Sequence, residues 1–366
     1  MKRKININIL VIILTVINSC GRNFSPFEPN FPYNNALVYN KVDKHGKWQI
    51  FLNAIAGDRP QNISNNPNED AYNPIWSPTG EYIAFRWDKS IGGSDIYLYD
   101  LTGDSLINIT KDLKMNESVS PVMWTPDGEK LIYIHHKFGE ERIYKIMNKD
   151  GSEKQFLLKY EVGDSINRII QFNPDNYHLI YTNEGNVYKT DIKQTVTELI
   201  ITKDMLGENN YYIYGFDPYQ ERILFAETTL RWCGKYDYIL IYNIKTTEID
   251  TVAKAIHEQL SYLHVPAFSN DFSKVAFSRT FNNYSSAALC IWQNGQETTL
   301  SDNFEDYNHL LFSPDNNYIA YERRVNTTNG EWYTFTTYLY VVNINTKKNY
   351  MIDQAQRATW NPLFKY

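Results

Sequence analysis

Seven histidines are the chain's first candidates for proton or metal chemistry. His45, His135, His136, His257, His264 and His309 fall in or beside segments that read as long connections, and His178 falls in a tight turn. Imidazoles gathered at one mouth could hold a divalent ion. The local sequence argues against it: "HEQLS" from His257 lacks the second histidine of a zinc-protease helix. Nucleophile motifs are missing too, with no Gly-x-Ser-x-Gly, no P-loop, no Cys-x-x-Cys and no dinucleotide fingerprint. The expectation is no catalytic residue, no metal and no cofactor. Aromatic rings beside guanidinium groups in the same connections suit recognition instead, by stacking on sugars or gripping a peptide. Arg86, Trp87, Tyr212, Trp232, His264, Arg279, Tyr307, His309, Arg323 and Trp332 form the candidate ligand-binding set.

These residues need a scaffold, and the sequence repeats one. "WSPTGEYIAF" starts at Trp76 and "WTPDGEKLIYI" at Trp124. "FNPDNYHLIYT" (Phe172), "FDPYQERILFA" (Phe216), "FSNDFSKVAFS" (Phe268), "FSPDNNYIAYE" (Phe312) and "WNPLFKY" (Trp360) follow. The anchors are 48, 48, 44, 52, 44 and 48 residues apart, a period that marks stacked repeat units. Pro pre-sets φ at the turn, while Asp, Asn and Gly tolerate its other corners. A second strand–turn–strand follows each hairpin, as in "DIYLYDLTGDSLINIT" from Asp95. One unit therefore has four strands, a to d, and such units arranged radially make a β-propeller.

The motif "WSPTGEYIAF…IYLYD…G…LINIT" resembles the TolB-type propeller repeat, also found in the propellers of dipeptidyl and prolyl peptidases. The resemblance covers about residues 33–366 and implies a fold more than a function. It departs at Asn270, which replaces Pro, and at "PYQE" after Asp217. No length remains for an attached hydrolase domain, so the peptidase likeness is expected to stop at the propeller.

Six units are complete. The seventh anchor, Trp360, lacks strands b to d, and these are expected at the other end of the chain: "ALVYNK" (36–41), "WQIFLNA" (48–54) and "PQNIS" (60–64). The fold expected is all-β, a seven-bladed β-propeller of four-stranded blades whose last blade is closed by both termini. Closure removes an open sheet edge. In this topology a–b and c–d turns share one face. The b–c loops and d-to-a links share the other, and that loop face carries the candidate set.

The N-terminus reads differently. Lys2, Arg3 and Lys4 precede the apolar run 9–17, too short to span a bilayer and typical of a secretory signal. "VINSC" resembles the bacterial lipobox, with Ile17 and Asn18 departing from it, and implies lipidation at Cys20. The expected organisation is a lipoprotein signal peptide at 1–19, a tether at 20–32 and the propeller at 33–366. Losing residues 1–19 removes three positive charges and moves the net charge from -6 to about -9. That gives no reason to expect nucleic acid. Cys233 and Cys290 could pair only with Cα atoms within about 7 Å; idle, buried thiols are the simpler reading.

The functional expectation is a lipid-anchored cell-envelope propeller, in the outer membrane and facing the periplasm. It would bind an envelope protein or peptide, or serve as a scaffold, without catalysis. The alternative is a carbohydrate-binding or oligogalacturonate-lyase-like propeller with a His metal site at the ring mouth.

Overall fold

The computed structural model describes residues 36–54, 59–160, 168–173, 178–183, 185–193, 196–206, 210–217, 219, 221–228, 236–256, 261–281, 286–304, 307–328 and 333–360. All lie in the second of the chain's two compact units, Tyr33–Tyr366. Lys and Arg near the N-terminus, Cys20, the tether, Cys233, His257, Trp232 and Trp332 lie outside the described residues. No described helix is long and apolar enough to cross a membrane.

Every unit builds the same antiparallel four-stranded sheet, because each supplies four runs of β-branched and aromatic residues separated by turn chemistry. Blades 1 to 6 span 71–108, 117–160, 168–201, 210–254, 262–304 and 307–353. Blade 7 takes strand a from Gln356–Trp360 and strands b to d from Ala36–Val42, Trp48–Ala54 and Gln61–Asn62. Its seam pairs Leu37 with Trp360 and Val38 with Thr359. Strand a of blade 7 also approaches its counterparts in blades 6 and 1, so the ring is closed by seven blades.

The core is not central. It consists of seven apolar clusters, one between each pair of neighbouring blades. Two aromatic positions per blade drive them. The anchor ending strand a packs against the preceding blade: Trp76 joins Val38 and Ile50, and Trp360 joins Leu339 and Val341. Nine residues after each anchor in blades 1 to 6, strand b carries Phe85, Tyr133, Tyr181, Phe225, Phe277 and Tyr321, and Tyr39 takes that place in blade 7. All but Tyr181 are fully buried.

The residue after each anchor fixes the a–b turn. Ser77, Thr125, Ser269 and Ser313 accept a hydrogen bond from the backbone N–H five residues on, at 2.9–3.0 Å. Asn270, in place of Pro, has an N–H to give. It donates to Asn316 Oδ1 at 2.9 Å, and its side chain donates to Ser313 O at 2.8 Å, tying blade 5 to blade 6.

The three anchor tryptophans differ in one respect. Trp360 Nε1 donates to Leu311 O of blade 6 at 3.0 Å, whereas the buried Nε1 atoms of Trp76 and Trp124 have no partner among the described residues. Trp360→Phe is therefore expected to destabilise the fold more than Trp76→Phe or Trp124→Phe, by about 1 kcal/mol. Denaturant midpoints of the three variants check that ranking.

Candidate functional site

Strand a carries a β-bulge opposite strand b in all seven blades. The residue three before the anchor sits at or beside this bulge. In blades 2 to 5 it is Pro121, Ile169, Ile213 or Val265, types that resist positive φ. In the adjacent blades 6, 7 and 1 it is His309, Arg357 and Asn73, held left-handed at φ 54°, 55° and 54°. Asn and His are enriched in that region and Arg is not, but for all three it is an uncommon backbone, here repeated on neighbouring inner strands.

Their positions on three adjacent inner strands trace a polar arc on the inner wall. Arg357 Nη1 donates to Asn73 Oδ1, and Asn73 Nδ2 donates to Ser120 Oγ of blade 2 at 2.9 Å. His309 and Arg357 are exposed. The backbone beneath is held from strand b of the preceding blade. Asn40, fully buried, accepts from Asn73 N–H at 3.3 Å and donates to Ala71 O at 2.8 Å. Glu322 occupies the same repeat position and accepts from Arg357 N–H at 2.5 Å. Arg86 is their equivalent facing blade 2, where Pro121 has no N–H to offer. It pairs instead with Asp88, Nε to Oδ1 2.5 Å.

Beside the arc, Tyr72 stacks obliquely on Trp48 with ring centroids 6.3 Å apart. Burial, with Asp70 and Asp88 nearby, pushes its phenol pKa up, while Arg86 and Arg357 oppose that. The arc and this cluster present guanidinium, amide and phenol groups together, with an exposed imidazole on the neighbouring inner strand. Such a surface can hold a carboxylate or a peptide backbone.

The other expected ligand residues are dispersed. Trp87 is buried and its indole N–H donates to Glu69 Oε2 at 2.9 Å. Arg279 is 6% exposed; it pairs with Glu297 at 2.7 Å and donates to Lys254 O at 2.7 Å. Arg323 lies over the Tyr340 ring at 6.0 Å, with Tyr307 its backbone partner across the pair. His264, half-buried, stands opposite Ser278 in blade 5. Tyr212 is exposed across the mouth, against buried Tyr236 at 5.6 Å. Of the described members, His309 shares the strand-a position of Arg357 and Asn73, and Arg86 lies near Tyr72 at the edge of the arc. Asn73, Ser120 and Arg357 were missed by sequence reasoning. The signal was available three residues before each anchor, where the series Asn, Pro, Ile, Ile, Val, His, Arg turns polar on one side of the ring.

No group of three or more His, Cys, Asp or Glu among the described residues is placed to hold a metal ion. Cys290 is a buried free thiol whose pKa burial pushes up to about 12. His135 shares a hydrogen bond with Glu117 at 3.1 Å. Burial, then Lys145, lowers its pKa, and Glu117 only partly opposes them. The unfolded chain therefore takes up this proton first, so stability is expected to fall as pH drops below about 6.5. A second loss at lower pH comes from Glu69 and Asp271. Burial raises their pKa values, but hydrogen bonds from Ser90, Trp87 and Asn66 to Glu69, and from Ser269 and Ser273 to Asp271, outweigh it and lower them. Urea midpoints across pH 2–8 should show both steps, and His135→Gln should erase the upper one.

The pattern of the TolB β-propeller domain matches residues 26–229, more than half of the chain. The chain belongs to the TolB β-propeller family. No curated protein matches it in sequence. Among solved structures, this TolB-family chain is similar to an oligogalacturonate lyase in complex with manganese: 12% identity, 86% of this chain and 84% of that one, TM-score 0.58. It is also similar to a puromycin-hydrolysing peptidase of Mycobacterium tuberculosis: 10%, 89% and 54%, TM-score 0.59. TolB of Acinetobacter baumannii is matched at 13%, over 90% and 67%, with TM-score 0.47. The chain spans about half the length of the peptidase. At such identities the likeness is one of fold.

Proposed function

We propose that this TolB-family propeller is lipid-anchored at Cys20 in the outer membrane, faces the periplasm, and binds a protein or peptide partner at its loop face without chemistry. The observation that carries the reading is the arc of His309, Arg357 and Asn73. Three adjacent inner strands keep polar residues in an uncommon backbone conformation where four others carry Pro, Ile or Val. Backbone strain of that kind persists where a side chain's direction matters. The test is affinity capture from detergent-solubilised envelope with the wild-type chain and with Asn73→Ala/Arg357→Ala. A partner retained by the first and lost by the second is expected. Capture indifferent to the double variant would remove the arc from the site. A tightly bound divalent ion in the purified protein, with capture abolished by chelation, would favour the carbohydrate-active alternative instead.

A further inference from the structure

Three large apolar side chains stand together in water on the loop face at blades 1 and 2. Ile91 lies between strands b and c of blade 1, Met115 on the link into blade 2, and Phe138 between strands b and c of blade 2. They are 66%, 59% and 84% exposed. Between them is an open cleft of about 410 Å³. Single exposed hydrophobics need no explanation, but a contiguous group at a concave site does.

The cleft is built rather than accidental. Gly93 has φ 80°, and a Cβ there would collide with the Met115 and Glu117 carbonyl oxygens, so the loop and the link lie directly on one another. Lys89 N–H donates to Gly93 O at 3.1 Å, Glu117 N–H to Lys114 O at 3.1 Å, and Phe138 N–H to Asn116 O at 3.3 Å. These bonds fix the backbones that carry all three side chains. A preformed apolar site loses little entropy on binding.

Charge around the cleft is unequal. On the link, Asp112 pairs with Lys154 at 2.8 Å, and Lys137 pairs with Glu140. Glu117 shares a hydrogen bond with His135, whose lowered pKa leaves the ring neutral at pH 7, so Glu117 keeps its charge. Lys111 and Lys114, both exposed, make no ion pair among the described residues. Two such lysines outnumber the one carboxylate of Glu117, so the excess charge is positive, on a chain whose net charge is -6.

We propose that this cleft docks an apolar segment of a protein partner that carries acidic residues beside its apolar side chains. Its volume suits a few side chains. Concavity argues against a bilayer, because acyl chains over the cleft would leave Asn116, His136 and the loop amides facing hydrocarbon. The proposal rests on the reading of the chain as a binding module and adds a contact separate from the arc.

The test is panning of random twelve-residue phage-displayed peptides on the purified full chain, followed by titration of the winning synthetic peptides. Winners are expected to combine Phe, Leu or Trp with Asp or Glu. Their affinity should fall at least about tenfold in Ile91→Ser/Met115→Ser/Phe138→Ser and severalfold in Lys114→Glu. It should survive Asn73→Ala/Arg357→Ala. These exposed substitutions should leave thermal unfolding nearly unchanged, which separates lost binding from lost fold. Winners indifferent to the triple variant, or lacking acidic residues, would overturn the proposal. So would triple-variant-sensitive flotation with vesicles of phosphatidylcholine containing one-fifth phosphatidylglycerol. Failure here with envelope capture still dependent on the arc would leave the proposed function standing.

Discussion

Deleting residues 356–366 is expected to lower the thermal midpoint by roughly 10 °C or more and to produce self-association. The segment contains the inner strand of blade 7, Gln356–Trp360. It buries Ala358 and Trp360 against Leu339 and Val341 of blade 6. Truncating one buried Trp alone costs about 3–5 kcal/mol. The deletion also removes the Trp360–Leu311 bond, the Thr359 Oγ1–Pro74 O bond at 3.2 Å and the Arg357–Asn73 contact, which link blade 7 to both neighbours. The strand Ala36–Val42 would then present an unpaired apolar edge, a template for pairing with another copy. Lys41 would keep its pair with Asp353 at 2.7 Å, a partly exposed contact too weak to close the ring. Melting followed by circular dichroism, with size-exclusion chromatography, reads both effects. An unchanged midpoint would mean that the seam contributes nothing.

The ring was legible because each blade states its own boundaries. An aromatic, a turn and an apolar run recur six times, and a seventh anchor, Trp360, without its strands b to d points to Ala36–Val42 at the other end. The last outer strand was read as 60–64 but is only Gln61–Asn62. Ile63 N–H still bonds Ile50 O at 2.9 Å, and Ser64 Oγ accepts from Ile50 N–H.

The site was less legible because side-chain direction alternates along strand b. Trp87, Arg279 and Arg323 occupy the same repeat position, two residues after the buried aromatics Phe85, Phe277 and Tyr321. They share that parity and turn toward the preceding blade, despite lying at the loop-face end of the strand. Asn40 and Glu322 have the opposite parity and reach the next blade's bulge. Reading position along the chain without parity therefore mixed interface residues with mouth residues. The arc depends further on a bulge in strand a, and an inserted residue re-aims the side chains around it.

Arg222→Ala is expected to cost about 3–5 kcal/mol, more than the usual loss of an ion pair, because it leaves the buried carboxylate of Asp217 without its cation. The Asp217 side chain is 1% exposed. Arg222 grips its Oδ2 through Nε at 3.0 Å and Nη2 at 2.7 Å. Nη2 also donates to Phe272 O at 2.9 Å, joining the blade 4 turn to that of blade 5. Asp217 stands where four other blades place Ser or Thr, and Arg222 stands five residues on, where they place Tyr or Lys. The repeat thus supplies its own rescue. Asp217→Ser/Arg222→Lys copies the Ser269 and Lys274 pair of blade 5, with no buried charge to neutralise. The double variant is expected to recover stability to within about 1 kcal/mol of wild type, a few kcal/mol above Arg222→Ala. Denaturant titration of the three proteins measures it. A double variant no more stable than Arg222→Ala would assign the loss to the severed bond with Phe272 rather than to the stranded carboxylate.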